Sequence, residues 1–307
     1  MILIGGENLI DFIEDETGKF SANPGGGPFN IAKAIARQNQ PSGYLTPISK
    51  DQMGDRLAAD LEDSGVTLLA PRSDAPSSLA LVSLVDGQPN YQFYREKTAE
   101  RAVTSTLLNR IIPKEATALQ LGSLALASGK DAENWAQIYV AFHKRGKFTS
   151  LDPNIRPAFI KKRRKFMARL QWVLAHTDML KLSDEDLAWI APEQNPEEAA
   201  KALQAEHNIP LVVLTKGESG ALGFQSENTI VAPAHKADPF VDAVGAGDTF
   251  MGTLLVQLTE LGLLSRPALT AADPQVIQAC LSKAAMAAAI NCTRSGCNPP
   301  YKDELTG

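Results

Sequence analysis

The chain has 307 residues, 44% of them hydrophobic and 21% charged, with a formal net charge of −5; this is ordinary globular usage, enough for one large domain or two small ones. The acidic balance and an aromatic content of only 6% argue against a nucleic-acid partner, which wants basic patches and stacking platforms. Cys280, Cys292 and Cys297 are odd in number and close to the C-terminal end, and the opening stretch reaches Glu7 and Asp11 before any apolar run of signal or membrane length, so the expectation is a reduced, soluble, cytoplasmic protein with no disulfide framework and no membrane partner.

In chain order, residues 1–5 form an apolar run ending in Gly5-Gly6, the pattern of a buried strand and turn. Gly25-Gly26-Gly27-Pro28 then opens a helical pattern with Ile31, Ala34, Ile35 and Gln38 on one face, and Pro28 suits its first turn. Leu79–Val85 and Tyr91–Arg95 are β-rich and separated by Asp86-Gly87-Gln88-Pro89-Asn90, which predicts a hairpin. Farther on, 118–121, 148–151, 179–182 and 211–214 read as short buried strands, alternating with helical stretches near 133–145, 158–175 and 196–207. Such alternation predicts βαβ units, a mostly parallel sheet and helices on both of its faces. The hairpin is out of step and is expected as a small antiparallel lid, together with residues near 12–22. No Pro-, Gly- or Ser-rich linker divides the chain. The basic run 161–165 sits in a helical pattern with Phe159, Phe166 and Leu170 on the apolar side, and predicts a solvated face. The cysteines at 280 and 292 fall in an alanine-rich helical stretch, where small buried hydrophobes are expected.

The segment Asp242-Ala243-Val244-Gly245-Ala246-Gly247-Asp248-Thr249-Phe250 carries the most chemistry. It is a loop with two glycines running into a helix whose stripe is Phe250, Leu254, Leu258 and Leu261. Glycines there let successive backbone N–H groups converge, and with the helix dipole they make an anion site. Asp248 falls in the first turn, where a carboxylate would repel a phosphate. It fits either a base that takes a proton from an attacking hydroxyl or an ordinary partner of the helix dipole. Gly25-Gly26-Gly27-Pro28-Phe29-Asn30 could offer backbone amides and the Asn30 amide to a polyol, or be only a strand-to-helix turn. Asp152-Pro153-Asn154-Ile155-Arg156 lies past a strand end, where parallel sheets place ligands. Arg156 could serve an anion or face solvent.

As an ordered set these segments resemble the ribokinase-like (PfkB-type) carbohydrate kinases, a family that includes fructokinases. GGGPFNIA (25–32) and DAVGAGDTF (242–250) match its two signature regions. GENLIDF (6–12), LDPNIRP (151–157), KLSDEDL (181–187), LTKGESGAL (214–222) and AAAINCTRSGCNPP (287–300) are also similar to it. The resemblance spans nearly the whole chain. It implies a three-layer α/β/α sandwich over residues 1–307 with a small β lid, and transfer of phosphate from ATP to a sugar hydroxyl. It implies a catalytic role for Asp248 as base, with the amides of Gly245, Ala246 and Gly247 as the anion hole. Asp11, Gly26, Gly27 and Asn30 match sugar-binding positions, with Arg156 nearby. Thr215 and Gly217 match nucleotide-loop positions, and Asn291 falls near the adenine-side helix. Asp242, Val244, Arg294 and Gly296 lie where many members bind a monovalent cation such as K+. Ser183 and Asp186 replace the usual Asn and Glu of a stretch near the Mg2+ waters, a departure at both ends. Fructose is the expected acceptor, with a 2-keto-3-deoxy sugar acid or ribose as alternatives, and a sugar-binding regulator on an inactive kinase scaffold as the rival of another class. A homodimer through the lid is a further open expectation. Glu7 and Lys181 are expected to be structural.

Overall fold

The computed structural model describes residues 1–15, 17–85 and 88–305. The first third of the chain holds β1 (Ile2–Gly5), β2 (Leu9–Glu14), β3 (Phe20–Gly25), α1 (Gly27–Arg37), β4 (Ser42–Tyr44), α2 (Gln52–Asp63), β5 (Thr67–Leu68), β6 (Leu79–Val85) and β7 (Gln88–Tyr94). The middle holds α3 (Ser105–Ile111), β8 (Ala118–Gly122), α4 (Lys130–Lys144), β9 (Phe148–Asp152), α5 (Arg163–Leu174), β10 (Met179–Ser183), α6 (Asp184–Ile190) and α7 (Pro196–His207). Then come β11 (Leu211–Thr215), β12 (Ala221–Gln225), β13 (Asn228–Ala232), α8 (Ala246–Glu260), α9 (Arg266–Ala271) and α10 (Pro274–Cys292).

Among the described residues the main sheet has nine strands in the order β13-β12-β11-β10-β9-β8-β1-β4-β5. The strands from β11 to β5 run parallel, while β12 and β13 add an antiparallel edge. β1, β8 and β9 are buried along their whole length, as strands covered on both faces must be, and the polar residues they carry, such as Gln120 and Ser150, pair with each other. One core packs Ile31 and Ile35 of α1, Leu57 and Leu61 of α2, Phe250 and Leu254 of α8 and Leu281 of α10 against one face. The other packs Trp135 and Tyr139 of α4, Phe166 and Leu170 of α5 and Leu203 of α7 against the opposite face.

The chain leaves β1 toward β4 on one side and returns to β8 on the other. That reversal opens a crevice at the strands' C-terminal ends, the usual ligand position in such sheets. Beside it lies the second sheet, ordered β3-β2-β6-β7, with β2 parallel to β6 and the other pairs antiparallel. Leu9 and Ala80 of this sheet pack on Leu124 and Ala127, with Phe93 and Phe159 at the margin. The expected 79–95 hairpin is therefore present, although Asp86 and Gly87 of its turn lie outside the described residues.

Three local expectations need correction. The helical stretch near 158–175 is a 3-10 turn at Pro157–Phe159 followed by α5. The lid segment expected near 12–22 is the antiparallel pair β2 and β3, which extends over 9–25. Of the cysteines, Cys280 is buried, while Cys292 and Cys297 are partly exposed. The five basic residues 161–165 are exposed, as a solvated face requires. No helix among the described residues is long and apolar enough to cross a membrane.

Candidate active site

Gly245 is the N-cap of α8 and lies in the left-handed region, at φ 74°. A Cβ there would sit 2.2 Å from Cys297 Sγ, so glycine is required both by the turn and by the neighbour behind it. Of the three expected anion-hole amides, that of Ala246 donates to the Ala243 carbonyl at 3.2 Å. Among the described residues the amides of Gly245 and Gly247 have no protein acceptor. They are the orphan donors of the helix start, available to an anion.

Asp248, third in the helix, is buried and its Oδ2 accepts from Asn30 Nδ2 at 2.8 Å. Burial is the main cause that lifts its carboxyl to about 7, with Asp152 and Glu7 adding to the rise and the Asn30 hydrogen bond and Lys181 opposing it. A carboxylate titrating near neutrality is a stronger base than an ordinary surface aspartate.

The second glycine loop reaches the same place from β3. A Cβ on Gly27 would come within 3.0 Å of Asn154 Nδ2 and 3.3 Å of Asp248 Oδ1. The loop backbone thus lies against the base with little room for a side chain at Gly27. Glu7 holds it there. One of its oxygens accepts from the Gly27 amide at 3.1 Å and the other from the Leu124 amide at 3.0 Å, so a single buried carboxylate pins the start of α1 to the turn after β8. Gly26 is the N-cap of α1. Asp11, on β2, lies against Gly25, and burial followed by the charge of Glu7 raises its carboxyl to about 6. Gly27, Asn30 and Asp248 therefore meet at one point, and Asp11 lies against Gly25 at the start of the same loop.

Past β9 the geometry divides the expected residues. Asp152 is buried, with Oδ2 accepting from Lys181 Nζ at 2.9 Å and Oδ1 left without a partner. Arg156 is exposed and donates to the Ile155 carbonyl. Asp186 closes a capping box with Ser183 at the start of α6, and its other oxygen accepts from the Ile155 amide at 2.6 Å. Both of its oxygens are engaged within the protein.

Thr215, at the end of β11, donates to the Leu182 carbonyl, and Gly217 follows in an exposed 3-10 turn on the same sheet edge. Asn291 is fully buried; it donates to the Val244 carbonyl and accepts from the Asn298 amide. That makes it a tie between two loops. Asp242 joins the same loops: one oxygen accepts from the Val244 amide and the other from the Gly296 amide at 2.9 Å. The 242–244 and 294–296 segments are thus adjacent, with the Arg294 side chain turned to Asn298 and Glu304. Sequence reasoning left two residues without a role, Glu7 and Lys181. Burial of ionisable groups inside motif segments was the only signal that could have marked them.

A family model described as "pfkB family carbohydrate kinase" matches residues 1–304. A fructokinase of Rhizobium leguminosarum bv. trifolii is 36% identical over 286 residues, covering 91% of this chain and 86% of the relative. Fructokinase-1 of Oryza sativa subsp. japonica is 27% identical, over 99% of this chain and 95% of its own. Among solved structures, a fructokinase from Xylella fastidiosa with bound ATP superposes with a TM-score of 0.88 at 25% identity, covering 99% of this chain and 96% of that one. A fructokinase from Vibrio cholerae O395 bound to fructose, ADP and calcium ion gives 0.83 at 24% identity, with 99% and 97% covered, and bears on the fold alone.

Proposed function

The chain belongs to the pfkB family of carbohydrate kinases, and from that premise we propose that it is a fructokinase, moving the γ-phosphoryl group of ATP to a hydroxyl of D-fructose. The observation that carries this reading is Asp248. It is a buried carboxylate lifted to about 7, beside two unpartnered loop amides and against the glycine loop of α1. Fructose is supported by the 36% identity to the Rhizobium fructokinase and by the fructokinase bound to ATP that shares this fold.

In this mechanism the sugar lies between β2 and the start of α1, where Asp11 and the Gly26–Gly27 backbone meet its hydroxyls. Asp248 takes the proton of the attacking hydroxyl as the bond to phosphorus forms. The amides of Gly245 and Gly247 hold the charge on the transferred group, which is where preorganised donors contribute most. Asn30 orients the base through its 2.8 Å hydrogen bond.

Asp186, expected near Mg2+, has both carboxylate oxygens engaged internally. Among the described residues no group of three His, Cys, Asp or Glu side chains could hold a metal. Mg2+ in kinase sites is held by one or two carboxylates together with waters and the substrate phosphates, so it would arrive with ATP and neutralise phosphate charge, while Asp248 and the loop amides act on the hydroxyl and the transferred group. Asp242 brings the 242–244 and 294–296 segments together, and we propose that free backbone carbonyls there would hold a monovalent cation, which would supply fixed positive charge beside the anion loop.

An ADP-release assay tests the function. ADP release should depend on D-fructose, and Asp248→Asn should lower kcat by about 10²–10⁴-fold. Release at the same rate without sugar, or an Asn variant with wild-type turnover, would contradict it.

A further inference from the structure

Lys181 and Asp152 form an ion pair at 2.9 Å whose side chains are only 6% and 3% exposed. β10 has no structural need of it, because its neighbours Met179, Leu180 and Leu182 are apolar and buried. A buried ion pair is a poor stabiliser, since apolar side chains of similar volume do as well or better. Its position is more informative. Lys181 Nζ lies 3.4 Å from where a Cβ on Gly247 would sit, directly under the first turn of α8. Asp152 lines the cleft with Gly27 and Asn154 and keeps Oδ1 without a partner.

We propose that the Lys181–Asp152 pair is a positioning element for Asp248: its two charges, set behind the base, fix the pH range over which Asp248 can take the acceptor's proton. This rests on Asp248 being the base. The titratable groups facing Asp248 are Lys181 from β10, Asp152 from β9, Glu7 from the turn after β1, and Cys297 from the segment after α10. Asn30 of α1 adds a neutral hydrogen bond. Lys181 is the one cation among them, and with the Asn30 hydrogen bond it opposes the effect of burial and of the carboxylates Asp152 and Glu7. Burial works against its charge, but the Asp152 carboxylate and its hydrogen bond outweigh that and keep Lys181 protonated. With the ammonium gone, Asp248 would lose the one cation that favours its ionised form, and would ionise only at higher pH.

The test is the pH profile of kcat/KM for ATP at saturating D-fructose. Lys181→Met should move the acid limb up by about one pH unit or more, and Asp152→Asn should move it down. The double variant K181M/D152N, which removes both charges together, should return the limb close to wild type. If Lys181→Met does not fold, the single Asp152→Asn and the double variant still give different expectations for the limb, moved down in the first and close to wild type in the second. Variants that lower kcat equally at every pH, with the limb unmoved, would overturn the proposal and leave the pair structural. A wild-type profile with no acid limb would instead remove Asp248 as base, and the positioning role with it.

Discussion

At the scale of single residues, Asp248 is asked to serve catalysis at a cost to folding. Its carboxyl is lifted, chiefly by burial, to about 7, against about 3.9 for a free aspartate. A carboxyl raised in the folded state destabilises it once pH exceeds the unfolded value. The loss grows until the folded value is passed and is constant above it. Asp248→Asn should therefore melt higher than wild type at pH 8, with the difference vanishing near pH 4, while kcat collapses. A partner of the helix dipole would behave the other way: its removal costs stability and spares turnover. The same titration sets the rate profile, so kcat/KM should rise with pH through a midpoint near 7 and be lost below it. Melting curves and kcat measured on one preparation separate the two roles. The segment 242–250 already showed a carboxylate in the first turn of a helix that starts as an anion site. What it could not show is Asn30, 218 residues away, holding that carboxylate, because side-chain partners across elements leave no periodic trace.

At the scale of elements, the site exists because two helix starts meet. α1 and α8 both begin at glycine loops, and Glu7 anchors one of them by accepting two backbone amides. Gly27→Ala should lower kcat by roughly 10–100-fold, because its Cβ would press on Asn154 and Asp248 and shift groups that must be held to a fraction of an ångström. Steady-state rates with wild-type melting behaviour would identify displacement of the base rather than unfolding. The parallel strands β1, β8, β9, β10 and β11 were legible as apolar runs, and several of the helices by their helical spacing. α2, the short strands β4 and β5, and the antiparallel edge β12–β13 were not, since a three-residue strand such as Ser42–Tyr44 carries too few residues to display a period. Asp186 illustrates the opposite limit. The motif resemblance put it near the Mg2+ waters, and the structure adds a local role that the motif did not suggest: α6 uses it as the return half of a capping box. Where 242–244 and 294–296 adjoin, a cation bound by carbonyls should hold the anion loop from behind. Turnover should then rise several-fold with K+ over Na+ at constant ionic strength, and a rate independent of the ion would remove that role.

At the scale of the whole molecule, a small sheet faces the C-terminal edge of a large one, and the crevice between them is where water must be kept from the phosphate. Phe93 of the small sheet meets Phe159 edge-on at 4.2 Å between ring centroids, and Arg95, paired with buried Glu100, lies over the same ring. Phe159→Ala should loosen this contact and raise ATP hydrolysis relative to sugar phosphorylation several-fold, read as ADP formed per sugar phosphate formed. A ratio unchanged from wild type would mean that the small sheet closes without it. The central claim is narrower than the fold, because one scaffold of this kind can serve many acceptors. The most direct measurement is kcat/KM with ATP across D-fructose, D-ribose, D-glucose, adenosine and 2-keto-3-deoxygluconate, with the phosphorylated product identified. A site built to hydrogen-bond particular hydroxyls can reject analogues lacking them by roughly 10⁴-fold, so D-fructose should lead the panel by a wide margin. A preference for the keto acid would contradict the fructokinase reading and turn exposed Arg156 toward its carboxylate. No phosphorylated product from any sugar would contradict the kinase reading itself.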